Sequence, residues 1–166
     1  MTLLVAAIAA TVAAIVELTV TPYLRVGDAQ PHLVFVFAVV WTVAVSLDSG
    51  LVWAFVGGLA LDTLAQRPLG ATAFALLIVV GATAVIGRSL ARIRPVVAII
   101  ATLLLSLVYS MTLVLLFAVL RPPSTLTDPL RIVAPGVLYD VVLAAIFGPL
   151  AVSLRDRFVD EERAPR

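Results

Sequence analysis

The sequence has 166 residues, of which 63% are hydrophobic and 13% charged, and its formal net charge is +1. A water-soluble domain would need more polar side chains to cover its surface, so this composition indicates a chain dissolved in a lipid bilayer. The absence of cysteine and lysine and the single histidine exclude disulfide frameworks, multi-histidine zinc sites and lysine-dependent catalysis. Because the arginines form no basic run, no nucleic-acid partner is expected.

Six apolar segments predict an all-α integral membrane protein of six transmembrane helices in one compact bundle, since about 20 apolar residues cross the ~30 Å hydrocarbon layer. The first segment lacks the positive flank of a secretory signal, so it is retained as a spanning helix. The second ends at the turn-forming sequence Asp48-Ser49-Gly50, which leaves a short third helix of only 14 residues. The predicted segments are 3–20, 33–47, 51–64, 71–87, 96–120 and 132–154.

These segments predict a single transmembrane domain over residues 1–154, followed by a charged tail over 155–166. With six crossings, an N-terminus inside the cell places seven arginines on the cytoplasmic side and four outside, as the positive-inside rule favours. The cytoplasmic set is Arg88, Arg92, Arg94, Arg155, Arg157, Arg163 and Arg166. We therefore predict a multi-pass protein with both termini in the cytoplasm.

Three carboxylates, Glu17, Asp62 and Asp140, lie within apolar segments. A charge at the centre of a membrane helix costs about 2.5–3.5 kcal/mol on insertion scales, so each should face protein or water. The acids could share an outward-opening pocket that holds a cation, a proton or a polar ligand group. Alternatively, Glu17 and Asp62 reach the interface or pair with Arg25 and Arg67, and only Asp140 needs a buried hydrogen bond. The second interpretation is favoured.

Small residues recur one turn apart in several of these helices, and such rows allow two helix backbones to approach closely. In the first helix, Ala6, Ala10 and Ala14 form one such row, and Ala9, Ala13 and Glu17 form the neighbouring row. The row of Ala6, Ala10 and Ala14 is the predicted helix-packing face, and it could serve internal packing or a partner. We select the alanine rows of this helix as the face that accepts a partner helix.

No catalytic, cofactor-binding or metal-binding residue is predicted. His32 stands beside Pro31 at a helix start, where an interfacial role is expected. Ser49 lacks the glycine two positions earlier that rhomboid-like proteases show. Tyr139-Asp140 resembles half the signature of intramembrane aspartyl proteases, but Asp62 lacks the preceding Gly-x-Gly of the other half.

The stretch GLVWAFVGGLALDTLAQRPLG, residues 50–70, resembles the most recognisable part of the MreD family of rod shape-determining membrane proteins. Gly57, Gly58, Asp62, Pro68 and Gly70 carry the motif. The outline of the chain agrees along nearly its whole length, with Pro31 at the beginning of the second helix and, near the end, a segment from Pro135 to Pro149 that contains a polar residue. A departure is the acid at position 140, where a neutral amide is more usual in the family.

The resemblance implies a non-enzymatic scaffold, without cofactor, in the bacterial cytoplasmic membrane. Its implied partner is an MreC-like single-span protein, beside the RodA glycosyltransferase, its penicillin-binding transpeptidase and, indirectly, MreB filaments. The implied role is to help regulate peptidoglycan synthesis and cell shape. MreD-like proteins are also similar in fold to the substrate-binding components of energy-coupling-factor vitamin transporters. Such a component needs a closed cavity with converging aromatic and polar groups, whereas only 7% of residues here are aromatic.

Overall fold

A computed structural model describes residues 2–24, 30–90, 95–120 and 135–147, with side chains over 2–24, 30–86, 102–120 and 135–147. These residues form six helices and contain no strand, which confirms the predicted all-α class. The helices are α1 (Thr2–Leu24), α2 (Leu33–Ala44), α3 (Leu47–Leu64), α4 (Ala71–Leu90), α5 (Pro95–Leu120) and α6 (Pro135–Phe147). The predicted tail lies outside the described residues.

The described helices differ in how far they could cross a bilayer. By length and composition, α1, α3 and Thr102–Leu120 within α5 are long and apolar enough to span one. The described parts of the other three, Leu33–Ala44, Ala71–Ile86 and Pro135–Phe147, are apolar but shorter. Large apolar side chains of α1 face outward, among them Leu4, Ile8 and Val12, as expected of a helix surrounded by lipid.

The boundary between α2 and α3 differs from the prediction. Asp48, Ser49 and Gly50 lie in the first turn of α3, because Ser46 is its N-cap and accepts a hydrogen bond from Ser49 N at 3.3 Å. The acidic Asp48 near the start also suits the helix dipole. As a result α3 has 18 residues rather than 14. Of the two helices, α2 is the shorter, with 12 residues.

Helix α3 packs against α1, α2 and α4, and its glycines make the close approach possible. A Cβ at Gly57 would stand 3.4 Å from Ala10 Cβ in α1 and closer still to a Val34 methyl group in α2. A Cβ at Gly58 would overlap the backbone of Ala73 in α4. Of the two adjacent motif glycines, Gly57 therefore allows close contact with α1 and α2, and Gly58 allows close contact with α4.

Candidate functional site

The buried polar groups are concentrated at one end of the bundle. At this end α1 and α3 end, and α2, α4 and α6 begin. We call it the capped end. The buried Glu17 of α1 accepts a hydrogen bond through Oε2 from the backbone N of Val34 at 2.7 Å. Val34 is the second residue of α2, and the first intrahelical hydrogen bond there runs from Val36 N to His32 O. Glu17 thus satisfies a helix-start N–H that has no acceptor within its own helix.

Asp62 performs the same task for α4. Its two carboxylate oxygens each lie 3.1 Å from the backbone N of Thr72, the second residue of that helix, and both residues are fully buried. The intervening turn is closed by hydrogen bonds from Arg67 N to Asp62 O and from Ala71 N to Pro68 O. Gly70 adopts a φ of 87°, a left-handed conformation that favours glycine. The motif residues Asp62, Pro68 and Gly70 therefore form one turn that brings Thr72 N to the carboxylate.

Asp140 of α6 lies at the centre of a third hydrogen-bonded cluster. Its Oδ1 accepts from His32 N at 2.9 Å, and its Oδ2 lies 3.0 Å from His32 Nδ1. Ser106 Oγ of α5 donates to the same Oδ2 at 2.6 Å. The His32 ring also meets Tyr109 of α5 edge to face, with 5.3 Å between ring centroids. The buried carboxylate of Asp140 thereby links α6 to α5 and to the start of α2.

The electrostatics of His32, which precedes α2, follow from these neighbours. Burial of the ring opposes protonation, but the Asp140 charge and hydrogen bond, with a smaller contribution from Glu17, outweigh it and raise the pKa of His32. Arg67 acts in the opposite direction. Among the described side chains, His32 and Asp140 are the only two oppositely ionisable groups within ion-pair distance, and they form an ion pair when His32 is protonated. No group of three metal-ligating residues occurs in that part of the chain.

The structure places Glu17, Asp62 and Asp140 at one end of the bundle, where each accepts hydrogen bonds at or beside the start of another helix. Glu17 and Asp62 are both buried, so the favoured interpretation that they reach the interface is wrong. Among the described side chains neither of them forms an ion pair with Arg67, and Arg25 lies outside the described residues. The sequence alone did not predict that carboxylates of neighbouring helices cap the starts of α2 and α4. Pro31 before α2, and Pro68 and Gly70 before α4, were the available signals, because they mark helix starts whose N–H groups need acceptors.

The alanine row of α1 is a packing face within the chain. Ala6, Ala10 and Ala14 are each 0% exposed, and α1 packs against α3, where Gly57 allows the close contact with Ala10. Of the two alanine rows selected as the partner face, this one is covered by another helix of the same chain, so the selection is wrong for Ala6, Ala10 and Ala14.

The neighbouring row of α1 opens onto an apolar groove of about 550 Å³ between α1, α2 and α3. Ala9 and Ala13 line it on α1, and Phe37, Trp41 and Trp53 line it on α2 and α3. The two indole rings stack with centroids 5.1 Å apart. Trp41 Nε1 donates to Ser49 Oγ at 3.1 Å and Trp53 Nε1 to Val34 O at 3.2 Å, so both indole N–H groups are satisfied away from lipid.

Comparison with known proteins identifies the family. The family described as rod shape-determining protein MreD matches residues 1–155. No curated protein and no solved structure matches the chain. The family match and the apolar helices together indicate a membrane protein with a role in determining rod shape. Since the match covers nearly the whole chain, the resemblance carried by residues 50–70 is confirmed, and this protein belongs to the MreD family.

Proposed function

We propose that this protein is a non-enzymatic scaffold subunit of the bacterial cell-wall elongation complex, in which it holds an MreC-like single-span protein. Membership of the MreD family supports the role in cell shape. The arrangement of the buried carboxylates supports a structural use of these groups, because Glu17 and Asp62 bind backbone N–H groups and Asp140 binds His32 and Ser106.

The apolar groove is the observation that carries the proposal, and its occupant is the transmembrane helix of the single-span partner. The α1 residues that line it follow steps of three and four, the spacing of one helix face. Within this stripe Ala9 and Ala13 are separated by four residues, so a second helix could approach the α1 backbone closely. The residues of the stripe are Val5, Ile8, Ala9, Val12, Ala13 and Val16.

A partner held in this groove would link the protein to the enzymes of wall synthesis. We propose that RodA and its penicillin-binding transpeptidase associate through this assembly, that MreB filaments act beside it indirectly, and that peptidoglycan synthesis is regulated there. In this arrangement the protein is a multi-pass component of the bacterial cytoplasmic membrane with both termini in the cytoplasm. The surplus of arginine on that side of the predicted topology supports this orientation.

The alternative function, a substrate-binding component of a vitamin transporter, would need a closed cavity in which polar and aromatic groups converge on one ligand. The groove is open along one side and its lining is almost entirely apolar. Its shape and chemistry favour a helix over a vitamin.

Co-purification from the native membrane tests the proposal. Full-length tagged protein with Ala9→Leu and Ala13→Leu should be recovered in normal amounts but should lose the single-span partner, because leucine side chains would fill the groove. Ala7→Leu is the matched control: Ala7 lies on the same helix, is partly exposed and does not line the groove, so this variant should retain the partner.

Two results would contradict the proposal. One is equal recovery of the single-span protein with the groove variant and the control. The other is recovery of an ATPase-coupled transport module with the wild-type protein, which would favour the vitamin-transporter function.

A further inference from the structure

We propose that the His32–Asp140 pair is a proton-sensitive clasp, which holds α5 and α6 against the start of α2 while His32 is protonated and loosens when His32 loses its proton. The proposal concerns the capped end and is independent of the partner proposed for the groove.

The geometry of the clasp is that of a carboxylate shared among three elements. Asp140 is fully buried, and its two oxygens contact the backbone N and ring Nδ1 of His32 at 2.9 and 3.0 Å and Ser106 Oγ at 2.6 Å. The start of α6 lies beside the same segment, since a Cβ at Gly136 would stand 3.5 Å from both Gln30 O and His32 Cε1. Any change in the charge of the imidazole therefore acts where α2, α5 and α6 meet.

The charged and titratable groups around His32 come from every element packed on it. Asp140 from α6 and Glu17 from α1 favour the protonated ring, Arg67 after α3 opposes it, and Tyr109 from α5 packs against its edge. The balance favours protonation in the folded protein and raises the pKa of His32 above its ordinary value. The stabilisation is consequently complete below the ordinary histidine pKa and is lost as the pH rises through the raised pKa of the folded state.

A second contact reports whether α6 remains docked. Phe147 near the end of α6 packs against Phe37 of α2, with 5.1 Å between ring centroids. Phe37 also lines the apolar groove, and it lies more than a helical turn away from His32. A loosened clasp should therefore be detectable at the Phe37–Phe147 contact, outside the hydrogen-bonded cluster.

The first test measures the proton itself. Because His32 is the only histidine, the imidazole signals of histidine-labelled full-length protein in detergent micelles belong to this residue, and their titration can be followed by NMR. We expect the midpoint to fall in Asp140→Asn, which removes the charge but retains an acceptor oxygen. An unchanged midpoint in a folded Asp140→Asn variant would overturn the proposal.

The second test measures the docking of α6. The chain has no cysteine, so Phe37→Cys and Phe147→Cys introduce a unique pair for a short bifunctional maleimide. We expect the cross-linking yield, relative to the same pair in a His32→Gln background, to fall as the pH is raised through the measured His32 midpoint. The His32→Gln background corrects for the pH dependence of thiol reactivity. Identical pH profiles in the two backgrounds would show that the clasp does not respond to protons.

Discussion

The backbone of Ala73 in α4 crosses α3 directly at Gly58, so closely that any side chain at position 58 would overlap it. Both positions lie deep in the bundle, and Ala73 is only 3% exposed. The contact explains why a glycine stands at this point of the motif: the α3–α4 packing distance leaves no room for a Cβ.

Gly58→Ala should therefore force α3 and α4 apart or displace the α4 backbone. Overpacking of this kind costs about 1–3 kcal/mol, so the amount of folded protein and its thermal stability in detergent should fall. Gly81→Ala in α4 is the matched control, since nothing lies within 4 Å of a Cβ there. Equal melting temperatures for the two variants would show that the crossing has more space than the structure indicates.

Glu17→Leu should destabilise the protein because it leaves the buried Val34 N–H without an acceptor, a loss of about 1–3 kcal/mol. Glu17→Gln keeps a side-chain oxygen for the same hydrogen bond and should be milder. Thermal unfolding of both purified variants measures the difference. If the two substitutions were equally harmful, the carboxylate charge rather than the helix-start hydrogen bond would be the essential feature.

Asp62→Leu should lower the amount of protein in the membrane, because both Asp62 oxygens contact Thr72 N and leucine leaves this fully buried group unpaired. Asp62→Asn retains one acceptor oxygen and should restore much of the loss. Membrane levels and rescue of rod shape in cells are the two measurements. Normal levels with full shape rescue by Asp62→Leu would refute this role.

The proposed orientation in the membrane can be tested with single cysteines. Leu69, in the turn between α3 and α4, is 72% exposed, and Val45, between α2 and α3, is 44% exposed. With the N-terminus in the cytoplasm, Leu69→Cys should react with an impermeant maleimide added to intact cells, and Val45→Cys should react only after permeabilisation. The reverse pattern would invert the topology.

Local sequence properties were enough to predict the class, the number of helices and the family. An apolar segment of helical length can be recognised as a membrane segment from its own composition. The family motif can likewise be read from one continuous stretch, which contains Gly57, Gly58, Asp62, Pro68 and Gly70. Even here a local signal was misassigned, because Ser46 as an N-cap incorporates Asp48, Ser49 and Gly50 into α3 rather than into a turn.

The partners of the buried groups depended on tertiary structure. Glu17 bonds to a residue 17 positions away, and Asp140 to one 108 positions away; no local periodicity encodes such pairings. Likewise, Ala10 and Ala13 are chemically identical and lie on adjacent faces of α1, yet packing against α3 buries the first and leaves the second on the groove. A helical pattern shows which residues share a face, but only the packing of the other helices decides what that face touches.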